Sequence, residues 1–147
     1  MHEKPKLTIA IDGPSGSGKS SVSKEVARHF GLAYLDTGAM YRAATWYVLE
    51  RGIDLADAEA ISRAVVEMPL VFGTNIKEEE ILIGSTDVRE QIRSERVSAA
   101  VSAVASVPAV REHLIGLQRW AIGHAVNGIV AEGRDITTVV APDADAR

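Results

Sequence analysis

Residues 13–20 read Gly-Pro-Ser-Gly-Ser-Gly-Lys-Ser and follow directly on a short apolar run at residues 7–11. The run predicts a buried strand and the residues after the segment predict a helix, so the segment connects the two. Its glycines let the backbone curl and aim several N–H groups at one anion, and the positive end of the helix adds to the same place. Lys19 would supply a mobile charge for the terminal phosphates, and the Ser20 hydroxyl is a ligand for Mg²⁺. The sequence therefore predicts a phosphate-binding loop.

Length and composition exclude several classes of protein. The 147 residues suffice for one domain with a core, and the net charge of −4 offers no general attraction to nucleic acid or to an anionic membrane. Cysteine is absent, which excludes disulfides and thiolate metal sites. No apolar run approaches the roughly 20 residues of a membrane span. We expect a cytoplasmic monomer that binds neither nucleic acid nor membranes.

The predicted strands and helices alternate along most of the chain, which indicates an α/β fold with a parallel sheet flanked by helices. In the first helix, Val22, Val26 and Phe30 form an apolar stripe, and Thr37 is the predicted N-cap of the second. In a parallel sheet the ligands bind at the carboxyl ends of the strands, where the phosphate loop lies. The predicted strands are residues 7–11, 32–35 and 128–131, and the predicted helices are 21–30, 38–51, 57–67, 94–106 and 108–126.

A stretch of short predicted strands interrupts this alternation. Short strands near residues 70–72, 80–83 and 86–88, joined by glycine-containing turns, predict a small antiparallel subdomain. We therefore divide the chain into a first part of the core at 1–68, an inserted subdomain at 69–93 and a second part of the core at 94–147. Only about three core strands are visible, so we expect the sheet to be incomplete and the chain to be the N-terminal part of a longer protein.

The glycine spacing of the loop is the form common in kinases of small molecules and nucleotides. A GTPase would need a base-reading Asn-Lys-x-Asp motif, which the chain lacks. A kinase acting on a phosphorylated acceptor needs cations for the acceptor phosphate, and arginine binds phosphate through two parallel hydrogen bonds. Arg42 and Arg134 follow the carboxyl ends of predicted strands and are the candidates; each would otherwise be an ordinary surface charge.

Three motifs, in the order in which they occur, resemble the bacterial cytidylate kinase family. They are the Ile-Asp-Gly-Pro-Ser-Gly-Ser-Gly-Lys of residues 11–19, the Asp-Thr-Gly-Ala-Met-Tyr-Arg of 36–42 and the Glu-Gly-Arg-Asp of 132–135. The resemblance runs from about Lys6 to Asp145. It implies a P-loop nucleoside monophosphate kinase fold and phosphorylation of CMP or dCMP by ATP with Mg²⁺.

The resemblance also implies roles for single residues, with Lys19, Arg42 and Arg134 in the catalytic positions. Ser20 is the position for Mg²⁺, and Asp135 would accept a hydrogen bond from the cytosine amino group, which uracil lacks. From its place at the end of a predicted buried strand, Glu132 is a candidate for a water-mediated Mg²⁺ contact or, equally, for helix capping or a salt bridge. The ATP-binding positions are Gly13, Pro14, Ser15, Gly16, Ser17, Gly18, Lys19, Ser20 and Ser21, and the CMP-binding positions are Thr37, Arg42, Ser102, Arg111, Arg134 and Asp135.

Members of the family continue into an arginine-rich lid, which these 147 residues do not contain. We therefore expect the chain by itself to be inactive, because the lid excludes water and completes the charges around the transferred group. Two alternatives remain open at this stage. One is a nucleotide-binding module without turnover, and the other is a P-loop kinase of another small acceptor, such as shikimate or dephospho-coenzyme A.

Overall fold

The computed structural model describes residues 7–13, 19–77, 80–133, 136, 140–141 and 144–145, with only the backbone of Lys19 and Ser20. The predicted strands and helices occur in the predicted order, and the predicted mixed α/β class is confirmed. The elements are β1 Leu7–Asp12, α1 Lys19–Phe30, β2 Ala33–Asp36, α2 Thr37–Glu50, α3 Ala58–Glu67, β3 Leu70–Phe72, β4 Ile81–Ile83, β5 Thr86–Asp87, α4 Glu95–Ala105, α5 Pro108–His124 and β6 Gly128–Gly133.

The chain forms two compact units. The first comprises residues 1–38, 74–79 and 117–147, and the second comprises residues 39–73 and 80–116. The helices α2 and α5 each begin in one unit and end in the other. The division at residues 69 and 94 that the sequence suggests stays a prediction.

The first unit contains a three-stranded parallel sheet in the order β1-β6-β2. The last strand in the sequence therefore lies between the first two, with Ile9 and Tyr34 both aligned with Val130. Every residue of β6 is buried, as expected for the central strand of a parallel sheet. Gly128 allows the close approach of β1, since a Cβ there would lie 2.1 Å from the carbonyl oxygen of Leu7.

The helix α1 packs against β6 and β2, but with a different face from the one its apolar stripe predicts. Val22 and Phe30 are 58% and 56% exposed, whereas Ser23 and Ala27 are fully buried. Only Val26 of the stripe packs against the core of this unit. Small side chains on the inner face let the helix lie close to the sheet, and this close packing outweighs the preference of the larger side chains for burial.

The second unit contains the predicted antiparallel strands in the order β3-β4-β5, which confirms that part of the prediction. The helix α3 begins where Asp57 accepts a hydrogen bond from the N–H of Ala60, and α4 begins where Ser94 accepts one from Val97. A 3₁₀ turn at Gln91–Arg93, which the sequence did not predict, precedes α4. Fully buried side chains come from four helices and include Val48, Ile61, Val97, Val104, Val110 and Leu114.

In the part of the chain that the structure describes, no helix combines the length and the apolar sequence needed to span a bilayer.

Candidate functional site

The carboxyl ends of the three parallel strands bring both flanks of the phosphate-loop motif to one edge of the sheet. Asp12, the last residue of β1, is aligned with Gly133 of β6, and the Gly13 N–H donates to the Gly133 carbonyl oxygen at 3.2 Å. The helix α1 begins at Lys19, six residues after Gly13. The predicted strand before the motif and the predicted helix after it are therefore observed. The residues Pro14, Ser15, Gly16, Ser17 and Gly18 lie outside the described ranges.

The start of α1 has the electrostatic character of an anion-binding helix end. Its first turn contains no acidic residue that would offset the positive end of the helix dipole. The backbone N–H groups of the first turn have no partner within the helix, so a phosphate is a suitable acceptor for them. Ser21, assigned to ATP by the resemblance, lies in this first turn and is exposed.

A buried carboxylate lies beside this helix. Glu132, near the carboxyl end of β6, is only 1% exposed. Its Oε1 accepts a hydrogen bond from the hydroxyl of Tyr34 on β2, and its Oε2 accepts one from Ser23 Oγ on α1 at 3.3 Å. The sequence did not single out Tyr34 or Ser23, because a tyrosine in a strand and a serine in a helix have no local feature that indicates a shared buried partner.

Thr37 also contacts the end of β6. Its hydroxyl donates to the backbone carbonyl of Glu132 at 2.9 Å, and the residue is only 2% exposed. Thr37 is the first residue of α2, so the helix begins one residue earlier than predicted, and the Thr37 hydroxyl donates in a contact between elements. The hydroxyl oxygen keeps its capacity to accept a hydrogen bond, so its role toward CMP stays a prediction.

Asp12 links the start of the phosphate-loop motif to the chain that follows β6. Its Oδ1 accepts a hydrogen bond from the N–H of Ile136 at 2.7 Å. Arg134 and Asp135, which the sequence assigns to CMP, immediately precede Ile136 and lie outside the described ranges. The structure describes both ends of this short connection, at Gly133 and at Ile136.

In the second unit, Arg42 is held by two acceptors. Its Nη1 donates to Ser98 Oγ on α4 at 2.8 Å and to the carbonyl oxygen of Ile92 at 3.2 Å. Ser102 is exposed on the same face of α4 as Ser98, one turn further along, so the structure brings Arg42 to the helix face that carries Ser102. Arg111 is half-buried in the first turn of α5.

Within the described ranges, no group of three or more His, Asp or Glu side chains is arranged to hold a metal ion.

The phosphate-loop motif between β1 and α1, at the carboxyl edge of a parallel sheet, defines a P-loop nucleotide-binding protein. The flanking helices and the additional antiparallel sheet agree with the nucleoside monophosphate kinase fold.

Comparison with known proteins gives the particular family. The family model described as cytidylate kinase matches residues 9–147. The chain is 55% identical over 141 residues to a cytidylate kinase of Rhodococcus opacus (strain B4), covering 96% of this chain and 61% of that protein. It is 52% identical over 147 residues to a cytidylate kinase of Nocardia farcinica (strain IFM 10152), covering 100% of this chain and 63% of that protein. The chain belongs to the cytidylate kinase family, and it spans about three fifths of the length of these curated relatives.

Proposed function

We propose that the protein containing this chain transfers the γ-phosphoryl group of ATP to CMP or dCMP. The observation that carries the proposal is the phosphate-loop motif between β1 and α1, within a chain whose family match extends over residues 9–147. The relatives described above bear the name cytidylate kinase, which supports CMP as the acceptor. The expected monomeric state and cytoplasmic location remain predictions.

The reaction requires positioning and charge neutralisation more than proton transfer. An anionic oxygen of the CMP phosphate attacks the γ-phosphorus of ATP, the bond from that phosphorus to the β,γ-bridging oxygen breaks, and ADP leaves with the electron pair. Because the attacking oxygen is already ionised, no general base is required. Residues 13–21 would bind the ATP phosphates through backbone N–H groups, with Lys19 following the transferred group.

Arg42 and Arg134 are the residues proposed to bind the CMP phosphate. For Arg42, the contacts with Ser98 and with the Ile92 carbonyl support this assignment, because an arginine that is already held loses less side-chain entropy when a ligand binds. Thr37, Ser102, Arg111 and Asp135 would complete the CMP site, with Asp135 accepting from the cytosine amino group. Uracil presents a carbonyl oxygen there, so two acceptors would face each other.

Mg²⁺ would accompany ATP. The carboxyl edge of the sheet suits this ion, because Asp36, the last residue of β2, carries the oxygen ligands that Mg²⁺ prefers. Mg²⁺ usually retains several waters and takes few protein ligands together with substrate phosphates, so a preformed cluster of three side chains is not required. When bound, the ion neutralises charge on the β- and γ-phosphates. Ser20 is the residue proposed to hold it.

The test is an ATP-dependent phosphorylation assay of the intact protein with CMP, dCMP, UMP, AMP and shikimate as separate acceptors. We expect CMP and dCMP to be the preferred acceptors. We also expect Arg134→Ala to lower activity by at least about a hundredfold, the scale of losing one buried charge-assisted contact to phosphate. Preferred turnover of UMP, AMP or shikimate would refute the cytosine assignment, and an unchanged rate in Arg134→Ala would remove this arginine from the site.

A further inference from the structure

The buried carboxylate of Glu132 accepts hydrogen bonds from two other elements at the carboxyl edge of the sheet. Burial of such a polar side chain is costly unless hydrogen bonds compensate the loss of water. The two hydroxyls that donate to it are themselves buried, with Tyr34 5% exposed and Ser23 fully buried. The Glu132 side chain therefore joins β2, β6 and α1.

The position of Ser23 gives this arrangement a relation to the phosphate loop. Ser23 lies four residues after Lys19, one helical turn into α1, so its hydrogen bond to Glu132 connects the beginning of the helix to β6. The neighbouring residue, Gly133, accepts from the N–H of Gly13 at the other end of the motif. Adjacent residues of β6 thus contact both flanks of the phosphate-loop motif, one through a side chain and one through the backbone.

We propose that Glu132 is a positioning residue for the donor-phosphate loop. Its carboxylate holds the first turns of α1 in register with the sheet through Ser23, and the Tyr34 hydroxyl holds the carboxylate in the orientation that reaches Ser23. This inference rests on the proposed function, because it assigns the loop to the phosphates of ATP. Groups that bind a transferred phosphate lose effectiveness when they are misplaced by less than 1 Å, so a loosened α1 weakens donor binding even in a folded protein.

A role limited to fold stability makes a different prediction. Loss of general stability lowers the folded fraction and leaves the Michaelis constants of both substrates unchanged. Loss of loop positioning raises the KM for ATP more than the KM for CMP. Three of the proposed CMP ligands, Arg42, Ser102 and Arg111, lie in the second unit, and neither Ser23 nor Tyr34 is a proposed ligand of CMP. The ratio of the two KM values therefore separates a positioning role from a structural one.

The experiment compares the intact wild-type protein with Glu132→Gln, Ser23→Ala and Tyr34→Phe. We expect each variant to raise the KM for ATP about tenfold, the scale of losing one hydrogen bond to a charged group. For Ser23→Ala and Tyr34→Phe, which leave every proposed CMP ligand and the strand β6 unaltered, the KM for CMP should stay within about twofold of the wild type. Glu25→Gln makes the same acid-to-amide change on the exposed face of α1, and Tyr47→Phe removes a hydroxyl from a buried tyrosine of the second unit. Both controls should retain wild-type KM values.

The inference is overturned if the two KM values rise in the same proportion, or if the variants lose only resistance to urea. Tyr34→Phe removes a single oxygen atom, so it keeps the test valid should Glu132→Gln fail to fold.

Dissociation constants for ATP and for CMP, measured by calorimetry on the same variants, do not require turnover. If the wild-type protein binds ATP but phosphorylates no CMP, the proposed function fails, and a tenfold loss of ATP affinity in the variants would still support the positioning role of Glu132. If the variants bind ATP as tightly as the wild-type protein does, the positioning role of Glu132 is refuted.

Discussion

Replacement of Gly133 by alanine should be strongly destabilising, for two separable reasons. Its φ of +153° lies in a region that side chains rarely adopt, and a Cβ built there would lie 1.9 Å from Thr37 Oγ1. The backbone conformation costs about 1–3 kcal/mol for a residue other than glycine. Displacing the Thr37 hydroxyl from the carbonyl of Glu132 costs about another 1–3 kcal/mol, because both groups are buried.

We therefore expect Gly133→Ala to lower the free energy of unfolding by about 2–6 kcal/mol, a large part of the total of about 5–15 kcal/mol that is typical of a domain. Urea unfolding followed by circular dichroism measures the change from the midpoint and the slope of the transition. A loss below about 1 kcal/mol would refute the reasoning, because neither contribution alone is expected to be that small.

Two other glycines separate the contributions. Gly52 has a φ of +65° but open space where a Cβ would lie, so Gly52→Ala should show the backbone cost alone, about 1–2 kcal/mol. Gly116 lies inside α5 with nothing within 4 Å of a built Cβ and no positive φ, so Gly116→Ala should stabilise the protein by up to about 1 kcal/mol. Any other order of the three variants contradicts the structural explanation.

A double variant tests the steric contribution directly. Thr37→Ala removes the hydroxyl that the new methyl group would meet, although the Cβ of residue 37 would still lie 3.2 Å from it. Gly133→Ala should therefore destabilise the Thr37→Ala background by less than it destabilises the wild type, and the remaining loss should reflect the backbone alone. Equal losses in the two backgrounds would show that the contact with Thr37 is unimportant.

Two further predictions concern the second unit. Ser98→Ala removes one acceptor of Arg42 and should raise the KM for CMP about threefold to tenfold without changing the KM for ATP, a result opposite to that expected for the Glu132 variants. An unchanged KM for CMP would separate Ser98 from the acceptor site. Hydrogen bonds from Arg89 lower the pKa of Asp87, so Arg89→Ala should raise that pKa towards its ordinary value, which a carboxyl NMR titration measures. Since the folded-state pKa is lowered, the small stabilisation is present above the unfolded-state pKa and is lost as the pH falls through the folded-state value; a pKa unmoved by Arg89→Ala would contradict the pairing.

The elements that the sequence predicts correctly are those that local patterns encode. The helix α3 ends before Pro69 and begins at the capping residue Asp57, and both residues act on their immediate neighbours. The three short antiparallel strands follow from short runs of apolar and β-branched residues separated by glycine-containing turns. The phosphate-loop motif is of the same kind, because glycine, lysine and serine at fixed spacing define the loop without reference to any distant residue.

The buried face of α1 is a case in which the local pattern misleads. Val22 and Phe30 satisfy the helical spacing of a core stripe, yet both are more than half exposed. The sheet instead packs against Ser23 and Ala27, because the carboxylate of Glu132 provides a partner for the serine and the close packing favours small side chains. The partner of Ser23 lies 109 positions further along the sequence, so no window of residues around α1 contains the reason.

The amino-acid sequence by itself determined the class of chemistry, because a phosphate loop is built from consecutive residues whose conformational and electrostatic properties are intrinsic. Only the tertiary structure decided that β6 lies between β1 and β2, and with it the contacts of Glu132 and Gly133 with Gly13, Ser23 and Tyr34. Strand order and register depend on pairing between segments about a hundred residues apart. Such pairing is chosen by the packing of the whole unit, and the local sequence of each strand is compatible with several neighbours.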